Sequence, residues 1–345
     1  MAQSYRIIKA QNEYEKALKD ITTQGIKLDI PKIPKDILYD FAKFWKYADC
    51  IIHPRLRDSE GYPLKVEKPA QYQIDFANMN RAVMLKGNKA GVTTSEAMNS
   101  FRTRLMPEYA GFDCLLVGQN QFMADQHLLD LKRMVLQSPT CGQYLITRPD
   151  KRFQLPEQKS KMREMYVENP YDPARPSRII AIGFSESLAY SWKNVNRLHI
   201  SDPAMMGRRD QTSFFSALYS RLSNTEGQIK IEGVAGQRIG YFWDLCRKLF
   251  HLEDSFEEER DMLDPDRAME LEIADEGMIG SFETMFVTAD DVVKEGLISK
   301  EWLEYMKGLL GHDEFMRIYY GVFAKPQGTI FGDWTVGEHK PLGLD

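Results

Sequence analysis

Residues 81–101, RAVMLKGNKAGVTTSEAMNSF, pass from a short apolar run through a glycine-containing turn into a helical pattern opened by Thr93 and Thr94. A triphosphate-binding loop demands this order. Glycine lets the backbone approach phosphate, the exposed N–H groups of the turn and helix start bind anions, and a hydroxyl at Thr93 can ligate Mg²⁺. The strict spacing G-x-x-x-x-G-K-[ST] fails, because Lys86 occupies its first glycine position and Val92 its lysine position. An ordinary strand-to-helix turn shares the remaining features. A lysine needs only to deliver its ammonium, and its flexible stem can do so from either end of a tight loop. Lys86 at the strand end is therefore a candidate replacement, with Lys89 at the crown as a second charge. The candidate cradle is Lys86, Gly87, Asn88, Lys89, Ala90, Gly91, Val92, Thr93 and Thr94.

Outward from this loop, DCLLVG, RIIAIGF, NRLHIS and QIKIEGV read as further strands, and helical patterns fill 93–106, 121–137, 211–222 and 240–250. Strands followed by helices predict an α/β domain around a mostly parallel sheet, with ligands beyond the carboxyl ends of the strands. The first 60 residues carry a polar helix, a proline-punctuated turn and one amphipathic helix, DILYDFAKFWKYAD, read as a packing or docking element. Residues 138–178 break the rhythm as a surface excursion with clustered Arg148, Lys151, Arg152, Lys159, Lys161 and Arg163, either a solvated loop or a contact for a phosphate backbone.

At 345 residues and 43% hydrophobic content, the chain can bury a substantial core. Its longest apolar runs fall far short of the roughly 20 residues of a membrane span, and no signal-peptide pattern opens it, so a soluble, cytosolic protein is expected. Cys50, Cys114, Cys141 and Cys246 form no C-x-x-C pair and read as reduced, mostly buried thiols. The net charge of −5 hides an asymmetry: residues 253–276 hold 12 acidic and 2 basic side chains, which leaves +5 for the rest. That acidic segment reads as a solvated connector or an interaction tail.

The run NVNRLHISDPAMMG places Asp202 at the end of a strand pattern, where an aspartate would hold Mg²⁺ across from Thr93. Aspartate before proline is also a common turn starter. Taken in order, KGNKAGVT, DCLLVGQNQFMADQHLLDLKRMV, RIIAIGFSESLAYSWKNVNRLHISDPAMM, IEGVAGQRIGYFWDL and EFMRIYYGVFAKPQGTIFGDW resemble the ATPase half of the large terminase subunit of tailed viruses, over roughly residues 65–345.

That resemblance implies a RecA-like (P-loop NTPase) sheet flanked by helices, with an N-terminal helical lid at 1–60, an ATPase domain at 61–325, and a linker with the start of a nuclease domain at 326–345. It implies ATP and Mg²⁺ as cofactors, the triphosphate and metal on Lys86, Lys89, Gly91, Thr93 and Thr94, the metal also on Asp202, and adenine read by Gln71 or Gln73. Its implied partners are double-stranded DNA, the portal of a procapsid, a small terminase subunit and further copies in a ring, in the host cytoplasm and with no membrane. The chain departs from the family where a water-orienting glutamate normally follows the aspartate, since Pro203 stands there. Glu232, placed by the resemblance on the strand between the two nucleotide-site strands, is the candidate substitute base, and Arg208 or Arg209 a candidate arginine finger. Asp345 resembles the first metal-binding aspartate of a ribonuclease-H-type nuclease, so a truncated protein without nuclease activity is expected. Two other readings remain at this point: a nucleotide-binding subunit that does not hydrolyse, and a helicase-type ATPase fragment.

Overall fold

The apolar runs between residues 81 and 233 form the interior of one sheet, because aliphatic runs of this kind have both faces to bury. In the computed structural model, residues 30–49, 52–57, 63–145, 163–184, 192, 194–206, 211–252 and 281–324 are described. Two strands, β1 (Ile52–Arg57) and β2 (Pro63–Lys65), make a separate antiparallel ribbon. The main sheet contains β3 (Arg81–Lys86), β4 (Asp113–Gly118), β5 (Glu164–Val167), β6 (Ser177–Gly183), β7 (Val195–Ser201), β8 (Gln228–Gly233) and β9 (Glu283–Val287). Their order is β5-β6-β4-β7-β8-β3-β9, parallel throughout except for β5 against β6.

The four expected helical patterns appear as α4 (Val92–Arg104), α5 (Gln121–Gln137), α6 (Gln211–Ser220) and α7 (Tyr241–Leu249). They follow a short α3 (Gln71–Asn78) and precede α8 (Ala289–Lys294), α9 (Lys300–Leu309) and α10 (His312–Tyr320). The single amphipathic helix expected over residues 36–49 is instead two, α1 (Lys35–Leu38) and α2 (Phe41–Ala48). Asp40 divides them: its backbone is extended and its carboxylate accepts from the Lys43 N–H at 3.0 Å, restarting the helix with a side-chain cap. The excursion at 138–178 ends in structure as well, since Met165 and Val167 of β5 are buried at the sheet edge.

Register divides the central strands into two unlike faces. Val83, Ile231, Ile200, Val117 and Ile182 lie side by side across β3, β8, β7, β4 and β6, and they pack beneath Phe214, Leu218, Phe242 and Leu245 of α6 and α7. On the opposite face the corresponding row is Ala82, Lys230, His199, Leu116 and Ala181. Its apolar end joins a core with Met98 and Phe101 of α4, Leu128 and Leu131 of α5, and Phe41, Phe44 and Trp45 of α2. The N-terminal helices are thus built into the core of the sheet. Its polar end lies under α4, whose own buried side chains include Glu96, Asn99, Arg102 and Arg104.

Cys114, Cys141 and Cys246 are free and buried. Among the described residues, no helix is long and apolar enough to cross a membrane. The expected N-terminal polar helix, Cys50, Arg148, Lys151, Arg152, Lys159, Lys161, Arg208, Arg209, the acidic run 253–276 and residues 326–345 with Asp345 lie outside the described residues. Arg163 is described, and exposed.

Candidate functional site

Strand β3 delivers Lys86 to the carboxyl edge of the sheet, and the turn that follows is anchored from three sides. The Gly87 N–H donates to the Val287 carbonyl of β9 at 2.7 Å, and the Asn88 N–H to the Ile318 carbonyl of α10 at 2.8 Å. The Ala90 carbonyl accepts from the Tyr72 hydroxyl at 2.9 Å and from Gln73 Nε2 at 2.8 Å. Lys89 stands exposed at the crown with φ 67°. Gly91 closes the turn at φ 68°, and a Cβ there would come within 2.9 Å of Gln73 Nε2, so backbone conformation and space both call for glycine. Helix α4 starts at Val92 without a side-chain cap, and the first-turn N–H groups of Val92, Thr93 and Thr94 have no partner inside the helix. These donors, together with the helix dipole, are chemically suited to receive an anion.

Beside the turn, side chains from β3, α4, β7 and β8 converge. Lys86 Nζ lies 2.7 Å from Glu232 Oε2, 3.9 Å from Asp202 Oδ1 and 3.4 Å from Thr93 Oγ1. The Thr93 hydroxyl donates to Glu232 Oε1 at 2.8 Å and stands 3.4 Å from Ser201 Oγ. His199 Nε2 is 3.4 Å from the same Glu232 oxygen. The Glu232 side chain is 0% exposed and that of Lys86 8%, whereas Asp202 keeps 35%. Asp202 sits one residue past β7 in the left-handed region at φ 50°, its N–H donating to the Glu232 carbonyl and its carboxylate accepting from the Val234 N–H.

Burial works against the Lys86 charge, and the Asp202 and Glu232 carboxylates outweigh it, holding its ammonium above the ordinary lysine value. Burial likewise opposes the Glu232 carboxylate, but Lys86 and His199 bring it down to about 2. His127 on α5 is pushed down, first by burial and then by His199, with the two carboxylates pulling the other way. Because the Glu232 value falls on folding from 4.5 to about 2, the stability it contributes is complete above its unfolded value and is lost as pH falls toward the folded one. Between those limits the wild type is expected to lose about 3 kcal/mol that a Glu232→Gln variant does not lose. Denaturant titrations at a series of acid pH values check this, and parallel curves for the two proteins would exclude it.

The structure therefore brings together Lys86, Thr93, Asp202 and Glu232 from positions up to 146 residues apart, with Glu232 on the strand between the two that carry Lys86 and Asp202. It separates the two glutamines. Gln73 is buried, with its amide engaged by the Ala70 N–H and the Ala90 carbonyl, so it acts as a strut for the loop. Gln71 bonds Asp75 at the edge of a cavity of about 240 Å³ lined also by Tyr72, Phe286 and Asp291. His199, Ser201 and His127 were not expected from sequence. The signal for the first two is the alternation of NRLHIS, which puts polar side chains on every second position of an interior strand.

By sequence, the chain matches no family model and no curated protein. By structure it is similar to the large terminase ATPase domain of Thermus phage P74-26, at 15% identity and a TM-score of 0.50, over 78% of this chain and 100% of that one. It is also similar to the large terminase of bacteriophage HK97, at 12% identity and a TM-score of 0.50, over 80% of this chain and 54% of that one. The chain spans about half the length of the HK97 protein and of the large terminase of a thermophilic bacteriophage, 54% and 53% respectively. At such identities the likeness is one of fold: a RecA-like α/β architecture of the kind found in large terminase ATPase domains.

Proposed function

We propose that this chain is the ATPase part of a viral genome-packaging motor, which hydrolyses ATP to translocate double-stranded DNA. The observation that carries the reading is the convergence of a lysine, a threonine hydroxyl and two carboxylates beside an uncapped helix start, at the carboxyl edge of adjacent parallel strands.

The donor set suits Mg-ATP. Among the described residues no three His, Cys, Asp or Glu side chains form a metal cage. Mg²⁺ that arrives on phosphate needs only one or two protein oxygens, which the Thr93 hydroxyl and one carboxylate can provide. When bound, the ion would neutralise charge on the phosphate oxygens. Lys86 would give its ammonium to the triphosphate and the Thr93 hydroxyl would hold the metal, each releasing its contact with Glu232. The first-turn N–H groups of α4 receive phosphate oxygens, and Lys89 at the exposed crown adds a positive charge. Gln73 keeps the loop in shape, and Gln71, which lines a cavity with Tyr72 and Phe286, would read adenine. The remaining carboxylate accepts the proton of the attacking water.

On this reading the partners are double-stranded DNA, a portal, a small terminase subunit and further copies in a ring, in the host cytoplasm. The test is ATP binding and turnover by the chain in Mg²⁺, with and without linear double-stranded DNA. The expected result is turnover that DNA accelerates. Failure to bind ATP overturns the reading. Binding without turnover in either condition selects instead a structural nucleotide-binding subunit, for which Pro203 in the usual glutamate position speaks.

A further inference from the structure

The two carboxylates of the site differ in the properties that separate a metal-holding group from a water-activating one. Glu232 is wholly buried, with Oε1 accepting from Thr93 and facing His199 Nε2, and Oε2 in an ion pair with Lys86. A general base must come within hydrogen-bonding reach of the water it deprotonates, and of the two carboxylates it is Asp202 that has the open approach. Asp202 is 35% exposed and meets Lys86 only at 3.9 Å.

We propose that Glu232 takes the metal-side position and that Asp202 is the catalytic base, the reverse of the roles that the family resemblance implies. This rests on the reading of the site as an ATPase site.

Three further observations support the exchange. The Thr93 hydroxyl, the protein oxygen best placed for the metal, donates to Glu232, and from β7 the Ser201 hydroxyl lies 3.4 Å from it. Ser201 and Glu232 are direct register partners on adjacent strands. The carboxylate that β7 lacks at this position is thus supplied from β8, beside it. Secondly, the chain turns immediately after Ser201. Asp202 adopts φ 50°, ψ 51°, and Pro203 opens a short 3-10 turn closed by the Met205 N–H on the Asp202 carbonyl. Pro203 therefore does not mark a lost base, because the base stands one residue earlier and the proline fixes the turn that lifts it out of the strand. Thirdly, His199 holds Glu232 from below. Among the described residues its buried Nδ1 has no hydrogen-bond partner, which places the ring proton on Nε2, directed at Glu232. When Lys86 moves to phosphate, His199 keeps that carboxylate in place and acts as a positioning residue.

In the step itself, water oxygen bonds to the γ-phosphorus and its proton passes to the Asp202 carboxylate. The bond from phosphorus to the bridging oxygen breaks with its electron pair on ADP, and the proton is returned to the released phosphate.

The experiment compares Asp202→Asn with the wild-type chain by ATPγS affinity in Mg²⁺ against EDTA, and by single-turnover ATP hydrolysis. The expected variant keeps the Mg²⁺ enhancement of binding within about twofold and hydrolyses about 100-fold more slowly or worse. Glu232→Gln is expected to lose the Mg²⁺ enhancement, and adding Ser201→Asp to restore it. Loss of the enhancement in Asp202→Asn, or hydrolysis by that variant at the wild-type rate, overturns the assignment. If the wild type binds ATPγS yet does not turn over, the motor reading fails while the Mg²⁺ arm still decides which carboxylate serves the metal. A wild type that does not bind ATPγS ends both.

Discussion

Lys86→Ala is expected to abolish nucleotide binding and at the same time to lower the unfolding free energy by about 3–5 kcal/mol, a double effect that few phosphate-loop substitutions would show. The reason is the setting of the lysine. Its partner Glu232 has no exposure to solvent, and Lys86 is the only cation whose side-chain nitrogen lies within 3 Å of it among the described residues. Removing the ammonium leaves a buried carboxylate held by a threonine hydroxyl and a histidine alone, and the penalty for an uncompensated buried charge exceeds the worth of the pair. Lys86→Met combined with Glu232→Leu is therefore expected to recover most of the stability while leaving ATPγS unbound. Urea denaturation and ATPγS titration on the three proteins separate the two effects. A single variant within about 1 kcal/mol of wild type would show that the pair is not the buried strut described.

Arg197→Met is expected to cost about the same 3–5 kcal/mol, at a contact one to two turns along α4 from the phosphate loop. Arg197 on β7 is fully buried, and its guanidinium reaches Glu96 of α4, Gln228 of β8 and, at 3.2 Å, the Ser100 hydroxyl. Glu96 also accepts from Asn99, which receives the Arg102 Nε at 2.9 Å, while Arg102 reaches the Leu38 carbonyl at 3.1 Å. Nearby, Lys230 donates to the Phe76 and Met79 carbonyls, and burial brings its ammonium down to about 7. The helix that carries the phosphate loop is therefore fixed to the sheet by ionic and polar bonds, where its few apolar residues would make a weak interface. Arg197→Met with Glu96→Leu should regain much of the loss, as an apolar pair of similar volume often does. Equal stability of Arg197→Met and wild type in chemical denaturation would remove this network from the account of the fold.

The strands and helices from residue 81 to 250 were legible because each apolar run is bounded by glycine or a capping residue, such as Asn120, which accepts from the Met123 N–H. Four strands were not: β1 and β2 of the separate ribbon, and β5 and β9 of the main sheet. β9, ETMFV, is an edge strand with mostly exposed or half-buried side chains, and β5 has only four residues, so neither presents a sustained apolar signal. The break between α1 and α2 was hidden because apolar spacing continues across Asp40 while the backbone does not. In the site, the loop and Lys86 were visible as a local pattern. The polar positions of β7 and β8 were visible only as an oddity, since interior strands of a parallel sheet rarely carry Arg, His, Lys and Glu on one face.

A strand, a glycine turn and a helix start suited to anions, with Asp202 at a strand end, were legible in the residue pattern, and the family resemblance added Glu232 at the end of a neighbouring strand. Those are local properties, set by glycine freedom, helix capping and the two-residue repeat of a strand. That Glu232 lies beside Ser201 and under Thr93, whereas Asp202 is lifted toward solvent, follows from strand pairing in the folded chain. Periodicity reports which residues of one strand share a face, but pairing between strand residues 31 to 201 positions apart decides which side chains meet across them. A shift of one residue at the end of β7 is the difference between a hydroxyl facing the phosphate corner and a carboxylate doing so, because each step along a strand reverses the face.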